Sequence, residues 1–95
     1  MAVAVEMRFK GATTDQYDAI AGNMGHEPEG RTPPGAISHW VAETDEGLLI
    51  VDVWESKAQY EQFAQEQIGP FAAEAGITGP PEIRFYDVHN YLTKG

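Results

Sequence analysis

The chain has 95 residues and a mass of 10.4 kDa, enough for one domain over residues 1–95 and too little for two separate cores. Its 42% apolar, 11% aromatic and 22% charged residues are the composition of a folded globular protein,. Six Lys and Arg against fifteen Asp and Glu leave a formal charge of −9, which repels phosphate backbones and anionic membranes and excludes nucleic acid and membrane as partners. Without cysteine there is no disulfide, no thiolate nucleophile and no sulfur-ligated zinc. The first residues do not read as a basic segment followed by an apolar run, and no stretch approaches the ~18 apolar residues of a membrane span, so a cytoplasmic protein is expected.

Val3, Val5, Met7 and Phe9 alternate with Ala4, Glu6, Arg8 and Lys10, the period of a strand with one buried face, and Gly11 closes it. Thr13 followed by Gln16 is a capping box, and Tyr17, Ile20, Ala21 and Met24 recur at helical spacing up to Gly25,. From His26 to Gly35 the prolines and glycines sustain neither period, which predicts an exposed, rigid loop,. Arg31 and His26 in it could form a lid with a cation for an acidic substrate; a solvated loop is the plainer reading.

Ala36 to Glu43 and Leu48 to Trp54 read as two strands joined by a four-residue hairpin loop, Thr44-Asp45-Glu46-Gly47,. If Glu43 faces Leu48, the register sets His39 opposite Asp52, Ile37 opposite Trp54 and Val41 opposite Ile50 on one face. Trp40, Ala42, Leu49, Val51 and Val53 fall on the other, with Trp40 as core under the helices. Ser56 with Gln59 caps a second helix whose stripe is Tyr60, Phe63, Ala64 and Ile68, and Gly69-Pro70 is expected to break it before a short turn from Phe71 to Ala75,. The last strand is predicted over Glu82 to Leu92, with a bulge near Tyr86 and Asp87 that turns His89 and Tyr91 away from the face of Ile83 and Phe85.

Strand, helix, strand, strand, helix, strand suits an α+β ferredoxin-like fold, a four-stranded antiparallel sheet with both helices on one face. The face of Ile37, His39, Val41, Ile50, Asp52 and Trp54 is too apolar for water, so a second subunit's sheet is expected to cover it in a homodimer or to close a cavity over it.

The segment Val53-Trp54-Glu55-Ser56-Lys57-Ala58 resembles the Trp-x-Ser-x-x-Ala type signature of the dimeric α/β-barrel superfamily, in particular its antibiotic biosynthesis monooxygenase-like proteins. Phe63 stands where monooxygenase-like members often carry a histidine. The resemblance implies a dimeric α/β barrel and extends to cofactor-free oxygenation, haem degradation and isomerisation, since function is grafted on a common scaffold.

Within the expected cavity, His39 with Asp52 across from it is the minimum of a proton-transfer site, with the imidazole as general base and the carboxylate as its orienter. The plain alternative is a buried polar pair that satisfies itself. Ile37, Val41 and Ile50 would line the cavity and Trp54 would stack on an aromatic ligand. His89 and Tyr91 either reach the same cavity or pack against the partner subunit. His39, His89 and Asp52 lie on separate strands and form no local metal motif, so no metal and no cofactor are expected. There is no phosphate loop, dinucleotide glycine pattern or nucleophile elbow. The expected function is an enzyme that takes a small apolar, aromatic or polyketide-like molecule and acts by proton abstraction, as a cofactor-independent monooxygenase or as an isomerase or cyclase. The rival is a noncatalytic small-ligand-binding or dimerisation module, filled by its own side chains.

Overall fold

A computed structural model describes residues 1–27, 30–77 and 79–93 of the chain. Pro28 and Glu29 of the Pro-rich loop lie outside the described residues. Four strands, β1 (Val3–Lys10), β2 (Ala36–Thr44), β3 (Gly47–Trp54) and β4 (Glu82–Asp87), form one antiparallel sheet in the order β2-β3-β1-β4. Helix α1 (Thr14–Asn23) connects β1 to β2, and α2 (Lys57–Phe63), a π-helical turn (Ala64–Ile68) and α3 (Gly69–Glu74) connect β3 to β4. This is the ferredoxin-like arrangement, in which β3 lies between β2 and β1.

The helix ends follow from their residues. Thr13 accepts from the Gln16 backbone N–H while the Gln16 side chain accepts from the Thr13 N–H, a complete capping box,. At the other end of α1, Gly25 at φ 78 lets its own N–H reach Gly22 O and the His26 N–H reach Ala21 O, a Schellman closure that a side chain at Gly25 would strain. Ser56 caps α2 through the Gln59 N–H. The expected break at Gly69-Pro70 is replaced by a continuous helix: the chain widens into the π-turn just before Pro70, which sits in the first turn of α3. Pro70 has no N–H and its ring crowds the preceding turn, and the wider turn relieves both conflicts.

The hairpin register is as expected over most of its length, with Glu43 opposite Leu48, Val41 opposite Ile50 and His39 opposite Asp52. The connection is tighter than a four-residue loop, because Thr44 and Gly47 already pair and only Asp45 and Glu46 turn. Gly47 is dictated by close approach: a Cβ there would lie 2.3 Å from Phe9 O and 2.6 Å from Gly11 N, where β1 crosses the hairpin end,. The register slips at the other end, where Ala36 faces Trp54 and Ser38 faces Val53. Ile37 is therefore a bulge residue with no partner, not the residue opposite Trp54.

Two expectations about faces are corrected. Directly opposed residues share a face, and β1 pairs Val5 with Asp52 and Met7 with Ile50,. The face of His39, Val41, Ile50 and Asp52 is thus continuous with the buried face of β1, on which Tyr60 and Phe63 pack. It is the helix-covered face and not the one left for a partner. Trp40 is on the opposite face and is 49% exposed rather than core. The core comprises Val3, Val5, Met7, Phe9, Ala12, Leu48, Ile50, Trp54 and Tyr60.

β4 is shorter than predicted and has no bulge near Tyr86. Its partner, β1, runs out where Val3 faces Asp87, and the Val88 N–H makes the last bond, to Ala2 O at 3.0 Å. From His89 onward the described chain has no strand to pair with, so His89 to Leu92 are irregular,. No helix among the described residues is long and apolar enough to cross a membrane.

Candidate active site

His39 and Asp52 are brought together by the antiparallel register, and Tyr17 reaches them from the second turn of α1. Asp52 is 4% exposed, a position a carboxylate tolerates only when its oxygens are satisfied. Both are. His39 Nδ1 lies 2.5 Å from Oδ1, and the Trp54 Nε1–H donates to Oδ2 at 3.1 Å. A carboxylate that accepts from both sides fixes the imidazole proton on Nδ1 and leaves Nε2 as an acceptor. The Tyr17 hydroxyl is 2.6 Å from Nε2 and donates to it, with the two rings stacked at 15°. The result is one directional chain, Tyr17 to His39 to Asp52, anchored by Trp54.

This chain forms one wall of a cavity of about 580 Å³ between the sheet and the helices. Met7, Phe9, Leu48 and Ile50 make its sheet side, Phe63, Ile68, Ala72 and Ile77 its helix side, and His26, Glu27, Arg31, Thr32 and Pro33 reach it from the Pro-rich loop. A cavity of ~150 Å³ holds a benzene ring, so this one has room for several fused rings. Its interior is largely apolar, with polar groups at the wall of Tyr17, Asp18, His39 and Asp52 and at the loop side, where His26, Glu27, Arg31 and Thr32 stand, the pattern of a small-molecule site in which a few polar groups set orientation. Burial, reinforced by the charges of Asp52 and Asp18, pushes the Tyr17 phenol above its ordinary value, so it is protonated at neutral pH.

Of the residues singled out in the sequence, His39, Asp52, Val41 and Ile50 line this cavity together. Trp54 does not: it is 1% exposed, packed between Tyr60 and Phe63, and offers its indole N–H to Asp52 instead of a ring to a ligand. Ile37 is displaced by the bulge. His89 and Tyr91 lie beyond the end of the sheet, are exposed and do not line the cavity. Among the described residues no three His, Asp or Glu side chains gather as metal ligands. In the sequence Tyr17 is only one member of an apolar helical stripe, and its spacing gives no hint of the hydroxyl's destination.

No family model matches the sequence, and no curated protein matches it. Solved structures do. A monooxygenase from the gene ActVA-Orf6 of Streptomyces coelicolor, solved in complex with nanaomycin D, superposes with a TM-score of 0.58 at 20% identity, over 99% of this chain and 92% of that one. SnoaB, a cofactor-independent oxygenase from Streptomyces nogalater, gives 0.58 at 14% identity over 98% and 97%. A conserved protein from Methanosarcina mazei Go1 gives 0.58 at 16% over 90% and 91%. At such identities the likeness is one of fold. The chain has the fold of the antibiotic biosynthesis monooxygenase-like, dimeric α/β-barrel proteins, the group that Trp54 to Ala58 of its sequence resemble.

Proposed function

We propose that the protein is a small-molecule enzyme that takes a proton from an aromatic or polyketide-like substrate in the cavity between its sheet and its helices. The observation that carries this reading is the ordered chain of Tyr17, His39 and Asp52 on a polar wall of a largely apolar cavity. Asp52 keeps the imidazole in a single tautomer and stabilises the imidazolium formed when His39 takes up a proton, the role of the buried carboxylate in a nucleophile–histidine–carboxylate triad. An electron-rich substrate anion formed in this way can react with oxygen directly. In the balanced form a ring CH₂ becomes C=O, one oxygen atom stays in the product and the other leaves as water, with all four electrons from the substrate. Isomerisation or cyclisation needs the same base and no oxygen.

A homodimer belongs to the same reading. Ala4, Trp40, Leu49, Val51 and Val53 share the sheet face that no helix covers, and a second copy's sheet is the simplest cover for it. The cavity, in contrast, is contained within one chain.

The test is to incubate the protein with fused-ring phenols and their ring-CH₂ keto tautomers in D₂O, following deuterium at ring carbon by mass spectrometry after hydroxyl deuterium is back-exchanged, and oxygen uptake with an electrode. Exchange with oxygen uptake, abolished by His39→Ala, supports oxygenation, and exchange without uptake supports isomerisation or cyclisation. Turnover of no compound supports the noncatalytic binding module, and equal turnover by His39→Ala removes His39 as the base.

A further inference from the structure

Neither nitrogen of the His39 ring is open to the cavity. Nδ1 is held by Asp52 at 2.5 Å and Nε2 by the Tyr17 hydroxyl at 2.6 Å. A substrate hydroxyl therefore meets the phenol oxygen of Tyr17 before it can meet the imidazole. We propose that Tyr17 is the residue that touches the substrate, and that the substrate's phenolic or enolic proton reaches His39 by way of the Tyr17 hydroxyl. This rests on the proton-abstraction reading above and names the group that performs it.

The transfer balances without any further reactant. The substrate O–H donates to Tyr17 Oη, the Tyr17 proton moves to His39 Nε2, and the substrate proton takes its place on Oη. Tyr17 ends as it began, neutral. One unit of negative charge appears on the substrate oxygen and one positive charge on His39, adjacent to the Asp52 carboxylate. The charged groups around the phenol fit a conduit better than a base. Asp18 on its own helix and Asp52 from β3 both oppose a phenolate at this position, so Tyr17 hands its proton on only as it receives another. The same two carboxylates disfavour a ligand that arrives at Tyr17 as an anion. On the loop side Arg31 and His26 stand with Glu27, so the charges there are mixed. The substrate class is thus a neutral phenol or enol that becomes an anion only after it is seated, next to the newly formed imidazolium.

The probe is 4-nitrophenol, whose phenolate absorbs in the visible, titrated with excess wild type, Tyr17→Phe and His39→Gln. Tyr17→Phe removes one oxygen atom and retains the ring stacked on His39, and amide NMR spectra of both variants establish that the fold is kept. Wild type should raise the ionisation constant of the bound probe by about tenfold or more. Tyr17→Phe should bind the probe yet return its ionisation to that of the free phenol, as should His39→Gln. If Tyr17→Phe still ionises the probe and His39→Gln does not, the conduit is wrong and His39 acts directly, which leaves the proposed function standing. If wild type binds the probe without ionising it, or does not bind it, or if both variants ionise it as wild type does, the conduit and the base fall together.

Discussion

Replacing Asp52 by asparagine preserves the shape of the side chain and removes its charge, and the hydrogen-bonding capacity of an amide dictates how the neighbours respond. Asp52 accepts from two N–H groups, those of His39 and Trp54. An amide offers one acceptor oxygen and one NH₂ donor, so it cannot accept from both. The indole has no second tautomer and is buried, so it retains the oxygen. The amide NH₂ then faces His39 Nδ1, which must become the acceptor; the ring proton moves to Nε2 and is donated to Tyr17 Oη, and the whole chain reverses direction. Two charge-assisted hydrogen bonds worth about 1.5–3 kcal/mol each become neutral ones worth about 0.5–1.5. Relief from burying a carboxylate offsets part of this. The expected net loss is about 1–2 kcal/mol in urea unfolding, with the slope unchanged. Nitrogen-15 NMR of the His39 ring reads the tautomer, with the proton on Nδ1 in wild type and on Nε2 in Asp52→Asn. A ring that keeps its Nδ1 proton in the variant, with stability within about 0.5 kcal/mol of wild type, would show that Asp52 does not set the orientation.

Gly47→Ala places a Cβ against the backbone of Phe9 and Gly11 at φ 140 and should cost roughly 2–5 kcal/mol from strain and overpacking; a midpoint of chemical unfolding close to wild type would contradict the close approach. Tyr60, buried above Met7 and donating to its Sδ at 3.3 Å, has its phenol pushed up to about 12, first by burial and then by Asp52 and Glu61. The unfolded phenol titrates near ~10, so the unfolded chain releases its proton first and stability present below that pH is lost as pH rises toward about 12,. Tyr60→Phe should flatten this alkaline loss measured by urea unfolding across the range, and an equally steep fall in the variant would assign it elsewhere. Val51→Lys on the uncovered sheet face should leave a folded monomer in sedimentation velocity, and a wild-type chain that is itself monomeric at micromolar concentration removes the dimer.

The capping residues, the hairpin register and the order of elements are legible in the sequence because each depends on neighbours close along the chain: Thr13 with Gln16, Ser56 with Gln59, and Glu43 with Leu48 across the turn. The face assignment is harder. In β3 the alternation distinguishes little, since Leu48, Ile50 and Trp54 on one side and Leu49, Val51 and Val53 on the other are all apolar. The discriminating signal lies in β1, whose Glu6, Arg8 and Lys10 share the face of Val51, Leu49 and Gly47, so the helices have to cover the other side. The length of β4 is set by β1 and not by β4's own residues, and this is why His89 and Tyr91 read as strand. Pro70 is a breaker in isolation, but the π-turn before it absorbs the conflict. The Tyr17 contact spans a helix and a strand, and an apolar ring with a polar tip fits a helical stripe whether or not its hydroxyl has a partner.

Central to this account is the binding of ligand between the sheet and the helices of a single chain, against Tyr17, His39 and Asp52. The most direct test is a titration of the isotope-labelled protein with 2-naphthol, followed by amide and side-chain NMR shifts. The largest changes should fall on Tyr17, His39, Ile50, Phe63 and Ile68, and Tyr17→Phe should alter the His39 ring shifts within the bound state. Changes concentrated on Ala4, Leu49, Val51 and Val53, with the His39 ring unmoved, would place the ligand on the opposite face of the sheet and contradict this assignment.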